Sequence, residues 1–225
     1  MKTIKLLSKG ISNAKLAKNK NASYEDYILY MMPSKKICPF ATGCMKVCLQ
    51  SAGMGAFSNV KAARVRRREF YLNNPFNFYG QLHKETNAAL KRAKKNGKKL
   101  AIRLNGTSDI EHQSFMQRFP EVTFYDYTKD YLKAFGNHLS NYHVTFSRTE
   151  HNEDQCRALL MTKICNVAVV FRDSLPKTYL GFPVVDGTKG DQRYLDKKGV
   201  IVGLIALGKA KKDSSGFVVD VKGKE

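Results

Sequence analysis

An alternation of short apolar segments with helical segments is the feature of this chain that most restricts its fold. Seven segments rich in β-branched and aromatic residues are predicted strands: YEDYILYMMP (apolar from Tyr27 to Met32), KKLAIRLNGTSDI, VTFYDYT, YHVTFSRT, NVAVVFR, FPVVDG and GVIVGLIAL. Strands joined through helices imply right-handed crossovers. The pattern therefore predicts an α/β fold, a complete or partial (β/α) barrel with mainly parallel strands. An open doubly wound sheet is the alternative that periodicity leaves open.

Local signals place the helices between these strands. The pattern from Asn59 to Lys95 predicts two helices that break around NNPF, with Asn74 as a cap and Pro75 in a first turn. Three shorter helices are predicted in HQSFMQRFP, YLKAFGNHL and NEDQCRALLMTKI, the last with Asn152 as its cap.

The length and charge of the chain suggest one domain and a polyanionic partner. The 225 residues suit a single domain over 1–225, with a basic N-terminal segment 1–23 and a tail 209–225 that is either flexible or adds an edge strand at FVVDV. Because 39 Lys and Arg oppose 19 Asp and Glu, giving a formal charge of +20, we expect nucleic acid as the partner, DNA in preference to RNA. No signal peptide or long apolar run is visible, so we expect a cytoplasmic protein without membrane contact.

One basic cluster is a candidate for phosphate binding. Its members are Lys61, Arg64, Arg66, Arg67 and Arg68. The cluster follows GMGAFSN, a turn that can present backbone amides at a helix N-terminus. A solvated helix face is the alternative interpretation.

Three cysteines in CPFATGCMKVC are the strongest indication of chemistry. Cys38, Cys44 and Cys48 are separated by five and then three residues, and thiolates so spaced can converge on zinc or an iron–sulfur cluster. Three ligands leave one position for water, substrate or a cofactor. The alternatives are buried thiols, a disulfide, or a structural zinc site closed by a histidine. Cys156 and Cys165 are predicted packing residues.

Polar residues follow most of the predicted strands. Because the carboxyl ends of parallel strands share one edge where ligands bind, these residues and the cysteines are expected at a common site. The candidates for catalysis are Asp109, Lys129, Arg148, Asp186 and Asp191, and Asn105, Gly106, Ser108 and Ser147 are candidates for cofactor binding. Caps and turns are the competing explanation for each of them.

Several of these segments resemble a known family. CPFATGC..VC, SAGMGAFSNVKAARVRRREF, RLNGTSDI, FYDYTK, HVTFSRTE and VVDGTKGDQRYLD are similar to the phage-encoded family labelled gene product eighty-eight, over about Tyr27 to Phe217. The resemblance implies a phage or mobile-element origin, and therefore the cytoplasm of an infected host, but little biochemistry.

The layout also resembles two classes of enzyme. Similarity to radical S-adenosylmethionine enzymes implies a [4Fe–4S] cluster on the three cysteines and puts Asn105, Gly106, Ser108 and Asp109 near the methionine moiety, although both cysteine intervals are longer and Val47 replaces the usual aromatic residue. Similarity to β/α-barrel 7-deazaguanine transglycosylases implies an aspartate nucleophile and an acid/base from Asp109 with Asp186 or Asp191. The zinc-binding cysteines of that second class lie late in the chain, unlike these.

Three functional hypotheses follow. The first is a nucleic-acid enzyme that modifies a base with a three-cysteine metal or iron–sulfur centre at the carboxyl edge. The second is a base transglycosylase. The third is a non-enzymatic basic protein whose zinc loop supports binding to nucleic acid or a host factor.

Overall fold

The fold is built on one sheet of nine strands. The computed structural model describes residues 4–10, 23–48 and 53–221. The strands are β1 Leu7–Lys9, β2 Tyr24–Leu29, β3 Lys99–Arg103, β4 Thr123–Thr128, β5 Tyr142–Ser147, β6 Asn166–Phe171, β7 Thr178–Tyr179, β8 Phe182–Asp186 and β9 Ile201–Ile205. They lie in the order β1-β2-β3-β4-β5-β6-β9-β8-β7.

The strand directions confirm a mainly parallel α/β fold. Every neighbouring pair from β2 to β8 is parallel, and only the outer pairs β1–β2 and β7–β8 are antiparallel. Among the described strands β1 and β7 do not pair, so the sheet is open and the expected complete or partial barrel is not confirmed. The order is sequential from β2 to β6, without the central reversal of a doubly wound sheet.

Within the described residues, five α-helices connect the strands. They are α1 Ser58–Asn73, α2 Pro75–Lys95, α3 Gln113–Met116, α4 Tyr131–Phe135 and α5 Glu153–Met161. The break between α1 and α2 is confirmed, since the side chain of Asn74 accepts a hydrogen bond from the Asn77 amide at 3.2 Å. Asn152 holds the N-cap position of α5, but its side chain accepts from the Thr149 amide at 2.6 Å rather than from a backbone amide of the helix.

The sheet has one face packed by helices and one face crossed by a loop. Alternate strand residues such as Phe124, Phe146 and Val169 join the helices in the main hydrophobic core. On the opposite face, the segment 187–198 crosses the strands, with Gln192 Nε2 donating to Asp26 Oδ2 at 2.7 Å. A short 3₁₀ helix, Arg193–Leu195, lies within this segment.

Two local predictions differ from the structure. The first predicted strand, YEDYILYMMP, ends earlier than expected, because β2 covers Tyr24–Leu29 and the following residues up to Met32 continue into a loop. In FVVDV the predicted edge strand is reduced to one parallel bridge between Val219 and Phe171. Of the basic segment 1–23, residues 1–3 and 11–22 lie outside the described residues.

No helix in the described ranges has the length and apolar composition needed to cross a bilayer.

Candidate functional site

A cavity of about 720 Å³ opens at the carboxyl ends of the parallel strands. Its wall is formed by residues that follow β2, β3, β4 and β5, by the cysteine loop 38–48, and by one face of α1. Protein sites for small ligands commonly have volumes of about 300–1,000 Å³. The cavity therefore has the size and the position expected of a ligand site in a parallel α/β fold.

Most of the predicted site residues line this cavity. Those that do are Cys38, Cys44, Cys48, Arg64, Arg67, Asn105, Gly106, Ser108, Asp109, Lys129, Ser147, Arg148 and Asp191. Those outside the lining are Lys61, Arg66, Arg68 and Asp186. The cluster of five cations on α1 is thus divided, because successive residues of a helix point in different directions.

Cys38 is held as a neutral thiol. Its Sγ lies 3.8 Å from the Thr107 carbonyl oxygen, and its amide donates to Ser34 O at 2.8 Å. Burial, together with the nearby Asp109 and Cys48, raises the pKa of the Cys38 thiol to about 11, although the Lys129 ammonium opposes the increase. At neutral pH the uncharged form therefore predominates.

The cysteines share a cavity without forming a metal site in this arrangement. Within the ranges 4–10, 23–48 and 53–221, no three His, Cys, Asp or Glu side chains are placed so that they could hold an ion. The donor chemistry suits zinc or an iron–sulfur cluster, but the positions of the sulfurs do not. Cys156 and Cys165, by contrast, are buried in the main hydrophobic core and lie outside the cavity lining.

The RLNGTSDI segment forms a rigid wall of the cavity. Asn105 Oδ1 accepts hydrogen bonds from Ser108 Oγ and the Ile110 amide, both at 2.8 Å, and Asn105 Nδ2 donates to Ile110 O at 2.9 Å. Thr107 Oγ1 donates to Met31 O at 2.6 Å. Because the Asn105 amide is used within the loop, it fixes the shape of the wall rather than offering its polar atoms to a ligand.

One of the two expected aspartate pairs, Asp109 with Asp186, is not assembled in one site. Asp109 accepts hydrogen bonds from Thr128 Oγ1 at 2.7 Å, from the Lys129 amide at 2.8 Å and from Lys133 Nζ at 2.7 Å. Asp186 lies in an exposed turn, where its carboxylate accepts from the Thr188 amide at 2.8 Å. The Asp109 carboxylate is thus fully engaged in hydrogen bonds, and the Asp186 carboxylate lies outside the cavity lining.

Asp191 enters the cavity from the loop that crosses the sheet. Arg103 Nη1 lies 2.8 Å from Asp191 Oδ2, and Tyr127 OH donates to Asp191 Oδ1 at 3.3 Å. The Arg103 guanidinium also lies 4.6 Å from the centre of the Tyr127 ring. Burial lowers the pKa of Arg103, but Asp191, together with the hydroxyls of three nearby tyrosines, outweighs burial and the pKa is raised. Arg103 therefore stays charged at neutral pH.

Two cations at the mouth of the cavity differ in how they are engaged. Arg148 Nη1 donates to the carbonyl oxygens of Gly216 and Phe217, at 2.6 and 3.2 Å. Lys129 Nζ lies 6.0 Å from the centre of the Phe217 ring and makes no hydrogen bond or ion pair within the described part of the chain. Lys129 is therefore the cation with donors to offer a ligand.

A comparison with protein families identifies the chain. Residues 5–221 match the model of a family described as gene product 88. The chain belongs to the gene product 88 family. This confirms the predicted membership of that phage family, while the resemblances to radical S-adenosylmethionine enzymes and to transglycosylases are not shown. Neither a curated protein nor a solved structure matches the chain.

Sequence reasoning missed several residues of the site in this gene product 88 protein. Tyr30, Arg103 and Phe217 all line the cavity. Arg103 had a usable signal, because it lies near the carboxyl end of a predicted strand. Phe217 had none, since its place depends on the C-terminal segment returning to β6.

Proposed function

We propose that this member of the gene product 88 family is an enzyme that modifies a base of nucleic acid, DNA in preference to RNA. One observation carries the proposal: a single cavity at the carboxyl edge of the sheet is lined by three cysteines and by the cations Arg64, Arg67 and Lys129. A chain of formal charge +20 attracts a polyanion, and ligands bind at this edge of parallel sheets.

The lining supports a division of labour within the cavity. Apolar side chains such as Val60, Val170 and Leu204 offer contact surface for a base, while the cations can bind the phosphate and sugar portion. The Lys129 ammonium can donate a proton to a reacting base or stabilise negative charge that develops on it. Its proximity to Cys38, whose pKa it lowers, places acid and thiol on the same side of the site.

A metal centre on Cys38, Cys44 and Cys48 belongs to this proposal as its cofactor, either a [4Fe–4S] cluster with S-adenosylmethionine or zinc. An iron–sulfur cluster would supply an electron for the reductive cleavage of S-adenosylmethionine, whereas zinc would act as a Lewis acid. The arrangement of the described residues does not present the three sulfurs as one site. A bound metal would require the cysteine loop to shift.

A binding function without catalysis is the second candidate. It is favoured by the ion pairs that engage Asp109 with Lys133 and Asp191 with Arg103, and by the position of Asp186 outside the cavity lining. Each aspartate considered for base exchange is therefore either paired or outside the cavity. Binding would need only the positive surface and the cavity.

Nucleoside analysis separates the two candidates. DNA and RNA from cells expressing the wild-type chain, the Cys48→Ala variant or the Cys165→Ala variant are digested and compared by mass spectrometry. An enzyme yields a nucleoside of altered mass in the wild type and in Cys165→Ala, which loses a thiol outside the cavity, but not in Cys48→Ala. Unaltered nucleosides in all samples, with nucleic-acid binding retained, would contradict the enzyme and support the binder.

Metal analysis tests the cofactor separately. Anaerobically purified protein that is brown and holds iron and sulfide supports a cluster, and a colourless protein with one zinc per chain supports the zinc alternative. Either metal should be lost in Cys38→Ala and kept in Cys165→Ala. Protein without metal in the wild type removes the cofactor from the proposal and leaves the nucleoside test unaffected.

A further inference from the structure

Helix α1 turns one face toward the cavity. Asn59, Val60, Ala63, Arg64 and Arg67 all line it, and their spacing is that of a single side of an α-helix. The helix is docked there by its backbone, because the Met32 amide donates to the Arg64 carbonyl oxygen at 3.0 Å. The two arginines of this face are therefore fixed against the cavity, whereas Arg66 is exposed on another side.

Arg64 carries a buried charge that has no carboxylate partner among the residues the structure describes. The residue is only 8% exposed, its guanidinium lies 4.8 Å from the centre of the Tyr30 ring, and its buried Nε has no hydrogen-bond partner. Within the described residues it forms no ion pair. Burial lowers the pKa of Arg64, which reports the cost of withdrawing this charge from water. A buried charge is normally paired, so the missing partner points to a ligand.

Arg67 adds a second positive charge beside the first. Its Nε donates to the Lys5 carbonyl oxygen at 2.7 Å and its Nη1 to the Tyr30 carbonyl oxygen at 3.3 Å, so the guanidinium is held by neutral acceptors. Burial lowers the pKa of Arg67, the charge of Glu85 raises it, and the like charge of Arg64 lowers it. Two guanidinium groups that repel each other create a local positive potential that an anion would relieve.

The N-terminal part of α1 lines the same cavity through Asn59 and Val60. The helix begins at Ser58, so Arg64 and Arg67 lie beyond its first turn, where the helix dipole has little effect. The positive potential at this side of the cavity therefore comes from the two guanidinium groups. Because Arg64 is buried and forms no ion pair with the described residues, this side is suited to an anion of more than one negative charge.

We propose that Arg64 and Arg67 form a phosphate-binding subsite that holds the phosphate group of a nucleotide whose base occupies the cavity. The inference rests on the proposed function and deepens it, because it assigns the end of the cavity where the phosphate lies. Planar guanidinium groups can each donate two hydrogen bonds to phosphate oxygens, which gives both charge neutralisation and orientation. Of the five cations on α1, these two bind phosphate and the other three do not.

Calorimetric titration with 5′-dAMP, deoxyadenosine and inorganic phosphate tests the subsite. The affinity for 5′-dAMP is expected to fall about tenfold or more in Arg64→Gln and in Arg67→Gln, because a charge-assisted contact is lost. Arg66→Gln is the matched control, since it removes the same charge from the same helix outside the cavity, and it should change the affinity less than about twofold. Deoxyadenosine binding should not change in any variant. Equal losses in Arg64→Gln and Arg66→Gln would overturn the subsite.

Hydrogen exchange on the wild-type protein covers the case in which a variant fails to fold. Saturating 5′-dAMP, and inorganic phosphate at higher concentration, should slow exchange of the amides of residues 58–67; no protection by either would overturn the proposal. A short single-stranded oligothymidylate distinguishes the sources of phosphate. Weakening by Arg64→Gln of both the mononucleotide and the oligonucleotide assigns the subsite to a phosphate common to both, and weakening of the mononucleotide alone assigns it to free nucleotides.

The two proposals fail in different ways. A modified nucleoside together with unaltered 5′-dAMP affinity in Arg64→Gln would overturn the phosphate subsite and leave the enzyme standing. Selective loss of 5′-dAMP affinity without any modified nucleoside would support the subsite and overturn the enzyme.

Discussion

The Lys133 ammonium lies 2.7 Å from the Asp109 carboxylate, and the two side chains are only 3% and 9% exposed. The same ammonium donates to the Ile110 carbonyl oxygen at 3.0 Å. The pair therefore links α4 to the loop that follows β3, at the wall of the cavity. A carboxylate in this position holds the wall in place and has little capacity left to attack a substrate.

Replacement of Asp109 should therefore destabilise the fold. In Asp109→Ala the Lys133 ammonium remains buried without its counter-charge, and removing one partner of such a pair costs about 3–5 kcal/mol. We expect the free energy of unfolding, measured by denaturant titration with circular dichroism, to fall by that amount.

The other predicted aspartate provides the control. Asp186 is exposed and accepts hydrogen bonds within its own turn, so Asp186→Ala should lower the free energy of unfolding by less than about 1 kcal/mol. An Asp109→Ala protein as stable as the wild type, but inactive in nucleoside modification, would show that Asp109 acts directly in the chemistry.

Gly106 marks the closest approach of the β3 loop to β2. A Cβ atom at this position would lie 2.6 Å from Ile28 Cγ2 and 2.7 Å from the Leu29 carbonyl oxygen. The backbone cannot move away freely, because the Gly106 amide donates to that same oxygen at 3.0 Å. Gly106→Ala should therefore cost about 1–3 kcal/mol through overpacking.

A second glycine offers the opposite case. Gly80 lies inside α2, and a Cβ atom there would meet nothing within 4 Å. Gly80→Ala should therefore raise the free energy of unfolding by about 0.5–1 kcal/mol, because alanine loses less backbone entropy in a helix. Thermal unfolding of the two variants in parallel tests whether Gly80→Ala stabilises the fold and Gly106→Ala destabilises it. A Gly106→Ala protein as stable as the wild type would contradict the close approach of the two segments.

The parts of the fold that the sequence predicts are those with local signals. Asn74 and Pro75 define the α1–α2 break by their own chemistry, and the structure has the break there. Strand β1 was missed because its position depends on a distant residue. The amides of Leu6 and Leu7 donate to the Glu85 carboxylate of α2, at 2.9 and 2.8 Å.

The candidate site, like the fold, could be predicted from the sequence only where local signals exist. The common edge of parallel strands could be predicted from polar residues that follow each strand, and the cavity lies there. The sequence could not predict which arginines of α1 face the cavity. Their direction depends on the rotation of the helix about its axis, which is fixed when the Arg64 carbonyl oxygen accepts a hydrogen bond from the Met32 amide. The role of Asp109 was also hidden, since its partner Lys133 lies on a later helix.

Arg148 is predicted to hold the C-terminal segment over the cavity rather than to take part in chemistry. Its Nη1 donates to the carbonyl oxygens of Gly216 and Phe217, and Phe217 lines the cavity. Hydrogen bonds from a charged donor contribute about 1.5–3 kcal/mol. In Arg148→Ala we expect the amides of residues 216–221 to exchange at least about tenfold faster with solvent.

Arg157→Ala is the comparison for that measurement. Arg157 is an exposed arginine of α5 that donates to the Leu180 carbonyl oxygen at 3.2 Å, away from the C-terminal segment. Its loss should leave exchange in residues 216–221 unchanged. Equal exchange in wild type and Arg148→Ala would indicate that Arg172, which donates to Lys211 O and Asp213 O at 2.7 and 2.9 Å, holds the segment alone.

His112 should make the fold sensitive to acid. Burial and the nearby charge of Lys133 together lower its pKa from 6.5 to about 3. Below pH 6.5, His112 therefore binds a proton in the unfolded chain but stays neutral in the folded chain. Because the unfolded chain binds more protons, the free energy of unfolding decreases as the pH falls. The contribution is at most about 1.4 kcal/mol of unfolding free energy per pH unit between the two pKa values.

Tyr79 OH lies 3.0 Å from His112 Nδ1, so His112→Gln retains a polar partner there. Urea titrations from pH 7 to pH 4 should show a shallower pH dependence in His112→Gln than in the wild type, while the exposed His138→Gln variant keeps the wild-type slope. Parallel slopes for all three proteins would mean that His112 is protonated in the folded state and that its burial does not exclude the charge.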